Sequence, residues 1–225
     1  MRQLGPIAMA LVLITCGGAP QSATPATAQT AAPTATPTIV ATPVSTPIPT
    51  YLPTAEGMTS KVLIEKPRII STSATGYVWF VSGVTSDSSG ITAVVSDTET
   101  FTASYQVPTS RRATDTNKVA YATPDLSPFA MGNYTEGLRL VTVQPGGRSA
   151  AHMHSGFEGV LVLEGRVLVR SGGSAPTFLI VGQGFYILPK VPVQLINAGT
   201  TVARTLVYSI GPEGAAYTTP LDQAP

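Results

Sequence analysis

Beyond about residue 56 the chain is a succession of short apolar runs in which hydrophobic and polar positions alternate, as in Leu138-Arg-Leu-Val-Thr-Val-Gln144 and Arg204-Thr-Leu-Val-Tyr-Ser209. A period of two is the mark of a strand with one face buried. On that pattern strands are expected over Lys61–Glu65, Gly76–Val81, Ile91–Ser96, Phe101–Gln106, Leu138–Gln144, Val160–Arg170, Thr177–Val181, Phe185–Leu188, Val193–Ile196 and Arg204–Ser209. No stretch sustains the 3.6-residue period of an amphipathic helix. Ser88-Ser89-Gly90, Pro145-Gly146-Gly147, Ser171-Gly172-Gly173 and Ala198-Gly199 separate the runs with residues that favour reversals. The expected class is all-β.

Residues 1–55 follow another pattern. Arg2 is followed by no charged residue before Glu56, and residues 4–15, LGPIAMALVLIT, form an apolar run of signal-peptide length, too short to cross a bilayer. Leu13-Ile14-Thr15-Cys16 resembles a bacterial lipobox, in which the cysteine is lipidated, although Thr15 stands where a smaller residue is usual. The alternative is cleavage at Ser22-Ala23 or Ala26-Thr27-Ala28, which discards Cys16. From Gly17 to Ala55 the chain is almost wholly Ala, Thr, Pro, Ser and Gly, a composition that buries too little apolar surface to fold and whose prolines favour extension. The expected layout is a signal segment over 1–16, a disordered linker over 17–55, an N-terminal β extension over 56–118 and a barrel over 119–225. It describes an exported bacterial protein, held at the membrane through Cys16 or released outside the cell.

Charge excludes several partners. Thirteen Lys and Arg against twelve Asp and Glu leave a net charge of +1 in 225 residues, no field for drawing in nucleic acid. The polar stretch Arg111–Lys118 reads as a solvated connection. With one cysteine, no disulfide forms within the chain, and with two histidines a Ser-His-Asp set is poorly supported.

Those two histidines carry the chemistry. His152 and His154 are two apart, so on a strand they share a face, and Glu158 can return to that face after the turn Ser155-Gly156-Phe157. Two imidazoles and a carboxylate suit a divalent iron, manganese, nickel, copper or zinc ion. The plainer alternative is a pair of surface histidines beside a solvated glutamate.

Gly146, His152, His154, Glu158 and Gly165 reproduce a spacing of Gly, five residues, His-x-His, three residues, Glu, six residues, Gly. This resembles the first motif of the cupin superfamily, and the resemblance implies a jelly-roll β-barrel holding one metal between two sheets. The segment Gly182–Gly199, with Pro189 and Asn197, resembles the second motif, where a histidine four residues before the asparagine supplies the last ligand. Here Val193 occupies that place, and the turn after Pro189 is one residue short, with no glycine between Lys190 and Val191. Gln194 is adjacent, but alternation sends it to the opposite face unless a bulge re-aims it.

The resemblance covers about Tyr134 to Gly211. It implies a small-molecule substrate or ligand and allows a homodimer; by alternation one of Phe185 and Tyr186 faces the barrel interior, with Tyr186 the candidate substrate contact and core packing the plainer reading. Three functions stay open: a metal-dependent enzyme acting on a small polar molecule, a module binding a small, sugar-like ligand without catalysis, and a structural envelope protein.

Overall fold

The computed structural model describes residues 55–83, 90–107 and 118–222. The expected signal segment, Cys16, the linker up to residue 54 and residues 111–117 lie outside the described residues. All fourteen elements among the described residues are strands, so the all-β expectation holds.

Ten strands build the barrel: β1 (Glu56–Ile70), β6 (Gly132–Arg148), β7 (His152–His154), β8 (Phe157–Glu164), β9 (Arg166–Ser171), β10 (Thr177–Ile180), β11 (Gly184–Ile187), β12 (Val193–Ile196), β13 (Ala203–Pro212) and β14 (Thr218–Pro220). Antiparallel pairing orders one half β1-β6-β13-β8-β11 and the other β14-β7-β12-β9-β10. The halves are joined where Arg148, at the end of β6, pairs with Ile196. This is a jelly roll.

The turn expected at Pro145-Gly146-Gly147 lies inside β6 and bends the strand instead of ending it. Gly146 has φ 72°, and a Cβ on Gly147 would sit 2.7 Å from the Gly57 carbonyl. The buried Asn197 holds the bend's neighbours together, its side-chain amide donating to the Val143 and Thr201 carbonyls at 2.8 Å each. A single strand over Val160–Arg170 is likewise not found. Gly165, with φ 70°, turns the chain sharply between β8 and β9.

A second sheet of four strands packs outside the barrel: β2 (Tyr77–Ser82), β3 (Ile91–Ser96), β4 (Glu99–Gln106) and β5 (Val119–Ala122), in the order β3-β4-β2-β5. Residues 56–118 thus divide, since β1 runs along β6 in the barrel whereas β2, β3 and β4 belong to the outer sheet.

Alternation along the barrel strands produces two cores. Val141, Val143, Val160, Val162, Val207 and Val193 point inward between the two halves. Leu138, Leu161, Leu206, Tyr208 and Ile210 point outward and are covered by Val78, Phe80, Ile91 and Tyr105 of the outer sheet. The inner core forms the floor and walls of the cavity described next.

Candidate metal centre

Strand β7 lies between β12 and β14: His152 stands across from Val193 on one side and Pro220 on the other, and Thr218 faces His154. His152 and His154 therefore face the barrel interior, as a two-residue spacing requires. The chain crosses from β7 to β8 through Ser155-Gly156. The crossing is tight enough that a Cβ on Gly156 would collide with the Ile210 carbonyl. It brings Glu158, two residues on, back to the cavity.

His154 touches both of the other two side chains. His152 Nε2 is 3.1 Å from His154 Nε2, and His154 Nε2 is 3.3 Å from Glu158 Oε2. His152 Nδ1 lies 2.7 Å from the Ala150 carbonyl. Only a protonated Nδ1 bonds a carbonyl, so the neutral ring presents the Nε2 lone pair to the cavity. Burial pushes the His152 pKa below its ordinary value, against the Ala150 contact which raises it; His154 pushes in the same direction as burial, and Glu158 the other way. The neutral form is favoured, as a metal ligand needs.

Tyr217 was not singled out from sequence. Its ring lies 4.8 Å, centroid to centroid, from that of His154, inclined by 31°, and its hydroxyl donates to the Phe157 carbonyl at 2.7 Å. Burial, reinforced by Glu158, holds that hydroxyl well above the ordinary tyrosine pKa, with Arg139 acting in the opposite sense. It stays protonated and clamps His154 against the turn into β8.

These groups stand in the wall of a cavity of about 400 Å³. Most of the wall is apolar, from Val141, Val160, Val169, Ile187, Leu195 and Val207; Arg139, Thr205, Ser60 and Ser149 add polar groups. Val193 lines it too, so the side chain at the expected last-ligand position faces the cavity directly opposite His152. Gln194 points away, its amide donating to the Ser149 carbonyl at 2.9 Å. Lys190 replaces the glycine missing from the turn by taking φ 63° itself, and its N–H donates to the His154 carbonyl at 2.8 Å.

Tyr186, the expected substrate contact, is not in this wall. Ile187 takes the inward position on β11, so Tyr186 points outward, packs with the outer core and stacks on Phe157 at 6.4 Å. The reason is parity, which the sequence leaves open between Phe185 and Tyr186.

The spacing at His154 is that of donors that share a metal ion. Two donors each about 2.1 Å from one ion stand about 3.0–3.4 Å apart for right-angled to tetrahedral geometry; the two contacts at His154 measure 3.1 and 3.3 Å. A metal-binding histidine ordinarily donates its other ring N–H. His152 does so, whereas His154 Nδ1 is buried without a partner among the described residues. Among those residues no three or more His, Cys, Asp or Glu side chains are gathered closely enough to hold a metal ion. His152, His154 and Glu158 form a line of two contacts that run through His154 Nε2.

A jelly roll with His, His and Glu converging inside it defines a class of barrel proteins. Residues 139–209 match the family model described as a cupin domain, and this part of the chain is one. No curated protein matches the chain. An oxalate oxidase in complex with the substrate analogue glycolate is 26% identical over 33% of this chain and 41% of its own, with a TM-score of 0.32. The DMSP lyase DddQ from Ruegeria pomeroyi DSS-3 is 18% identical over 40% and 45%, with a TM-score of 0.36. A cupin 2 conserved barrel domain protein from Salinispora arenicola CNS-205 is 23% identical over 33% and 61%, with a TM-score of 0.31. The chain spans less than half the length of the oxidase and lyase chains.

Proposed function

We propose that the barrel binds one divalent transition metal through His152, His154 and Glu158 and acts as a metal-dependent enzyme on a small molecule held in the adjoining cavity. The observation that carries this reading is the meeting of the two Nε2 atoms and the Glu158 carboxylate in the wall of a cavity of about 400 Å³. When bound, the metal supplies Lewis-acid or redox activation at its vacant positions. The chain's own contribution is placement. The Ala150 carbonyl sets the His152 tautomer, Tyr217 fixes the His154 ring, and the valine walls keep water from the apolar part of a ligand.

A second reading, a barrel that binds a small ligand without catalysis, is favoured by Val193, which leaves the metal one protein ligand short of the family pattern. Metal titration of chelator-treated protein separates the two. Wild type is expected to take up one equivalent of iron, manganese, nickel, copper or zinc, and His152→Ala none. Val193→His places an imidazole beside His152 and is expected to tighten binding by about 2–3 kcal/mol. If the wild type takes up no metal, the enzyme reading fails and the binding reading replaces it.

Export and tethering are proposed on the sequence alone, from the apolar run over residues 4–15 and Cys16 directly after it. Cys16→Ser is expected to move the protein from the membrane fraction to the soluble one, because stable anchoring needs more than one acyl chain on that residue. A mature N-terminus beyond Cys16 contradicts the anchor.

A further inference from the structure

We propose that the outer face of β9 and β10 docks on an anionic lipid surface through Phe178, Ile180 and Val181. The inference is independent of the metal reading and of whether Cys16 carries lipid.

The two outer faces of the barrel are finished differently. The outer sheet covers that of β6, β8 and β13, whereas that of β9 and β10 stays open: Phe178, Ile180 and Val181 are each more than half exposed. Parity sets which residues appear there. Val167, Val169 and Leu179 point into the inner core, so Arg166, Leu168, Arg170, Phe178 and Ile180 point outward. Register then lines them up, with Phe178 across from Leu168 and Leu168 across from Ile196 on its other side. Three apolar side chains thus cross the face in a row about 10 Å long at the spacing of paired strands. Ile180 lies across from Arg166, whose Nη2 donates to the Ala198 carbonyl at 2.9 Å and whose Cζ lies 6.0 Å from the centre of the Phe178 ring. Strand β10 ends its sheet, a place where charge, not phenylalanine and isoleucine, ordinarily faces solvent.

Charge identifies the occupant. From Gly165 to Pro212 the chain carries Arg166, Arg170, Lys190 and Arg204 and no Asp or Glu. The carboxylates at the borders of this region are engaged, Glu164 with Arg204 at 3.7 Å and Glu56 with Arg148 at 2.9 Å. Apolar side chains beside arginines suit a bilayer interface, where the apolar tips enter the acyl boundary and the guanidinium groups meet lipid phosphates. A second copy fits less well, because a two-fold contact through this face gathers two sets of Arg166 and Arg170. The row also continues beyond Ile196, through Arg148 to Glu56. It therefore ends where the chain preceding the described residues joins the barrel, and that chain holds the apolar run over residues 4–15.

The test uses the full chain carrying Cys16→Ser, with a polarity-sensitive dye on Val181→Cys or, as a reference, on Val94→Cys. Val94 is exposed on the side of the outer sheet turned away from the barrel, since Ile91 and Ala93 point into the shared core. Vesicles are phosphatidylcholine with or without phosphatidylglycerol. Because the run over residues 4–15 can itself hold the chain on either vesicle, the readout is the surroundings of the dye and not binding alone. With phosphatidylglycerol the Val181 dye is expected to shift to the blue while the Val94 dye stays in water; with phosphatidylcholine alone neither shifts. Phe178→Ser with Ile180→Ser is expected to leave the Val181 dye in water, and so is Arg166→Gln with Arg170→Gln. The first pair changes only exposed side chains and keeps the test open should the second fail to fold. A Val181 dye that stays in water on anionic vesicles, shifts equally on both vesicles, or is indifferent to Phe178→Ser with Ile180→Ser overturns the proposal. A dye already shielded without lipid, in a protein that sediments as a dimer, assigns the face to a second copy and overturns it as well.

Discussion

Single residues decide what the cavity can do, and several of them trade stability for it. Thr205 carries a buried hydroxyl with no partner among the described residues, so Thr205→Val is expected to raise stability by about 1 kcal/mol, readable as a higher thermal midpoint. His152 adds a dependence on pH. Its pKa in the folded protein is held below the ordinary 6.5 by burial, so the unfolded chain takes up the proton first. Its contribution to stability is therefore full above pH 6.5 and is lost as pH falls through that value towards the lower folded one. Chelator-treated wild type is expected to lose stability over that window, and His152→Gln to lose less; urea unfolding from pH 7.5 to 5 measures both. The histidines, Glu158 and the valine at position 193 were legible in the sequence because they lie in two short segments with fixed spacing. Arg139, Thr205 and Tyr217 were not. They come from β6, β13 and the loop before β14, whose meeting depends on barrel closure, and nothing in their local sequence marks it. Tyr186 shows the same limit, since alternation requires that one of Phe185 and Tyr186 face inward without saying which.

Among the elements, the crossing from β7 to β8 links fold and site most directly. Gly156 passes so close to β13 that any side chain there meets the Ile210 carbonyl, and the same crossing sets Glu158 against His154. Gly156→Ala is expected to cost at least about 2 kcal/mol, lowering the thermal midpoint by several degrees, and to weaken metal uptake by moving the carboxylate. A variant as stable as wild type would show that the crossing has slack. The strands themselves were legible to different degrees. Those with one buried face, such as β3, announce themselves by alternation. Strand β1 was expected only over Lys61–Glu65 because much of its length is exposed and Pro67 interrupts it, both tolerable in a strand paired on one side only. Strands β5 and β14, of four and three residues, are too short for a period to register. At the other end of the site, Lys190 adopts the backbone conformation that a glycine would take more cheaply, which shows how the shortened turn still delivers Val193 to the cavity.

At the scale of the whole molecule, the outer sheet and the barrel share the core around Phe80, Tyr105, Leu161, Leu206 and Tyr208. The same interface buries Glu136, bonded by the Tyr208 hydroxyl at 2.8 Å and 3.4 Å from Lys66 Nζ. The outer sheet is thus part of the barrel's hydrophobic support. That relation could not be read from the strand pattern, which showed hairpins before the barrel but not which face they cover. The jelly roll was legible, because its two motif segments both lie within the chain's most regular alternation. X-ray absorption on the metal-loaded protein is the decisive test of the proposal that His152, His154 and Glu158 together hold a metal. One equivalent of metal is expected, with two imidazole nitrogens and a carboxylate oxygen at about 2.0–2.2 Å and the remaining positions filled by light atoms from solvent. A coordination shell without imidazole, or one unchanged in His152→Ala, would contradict it.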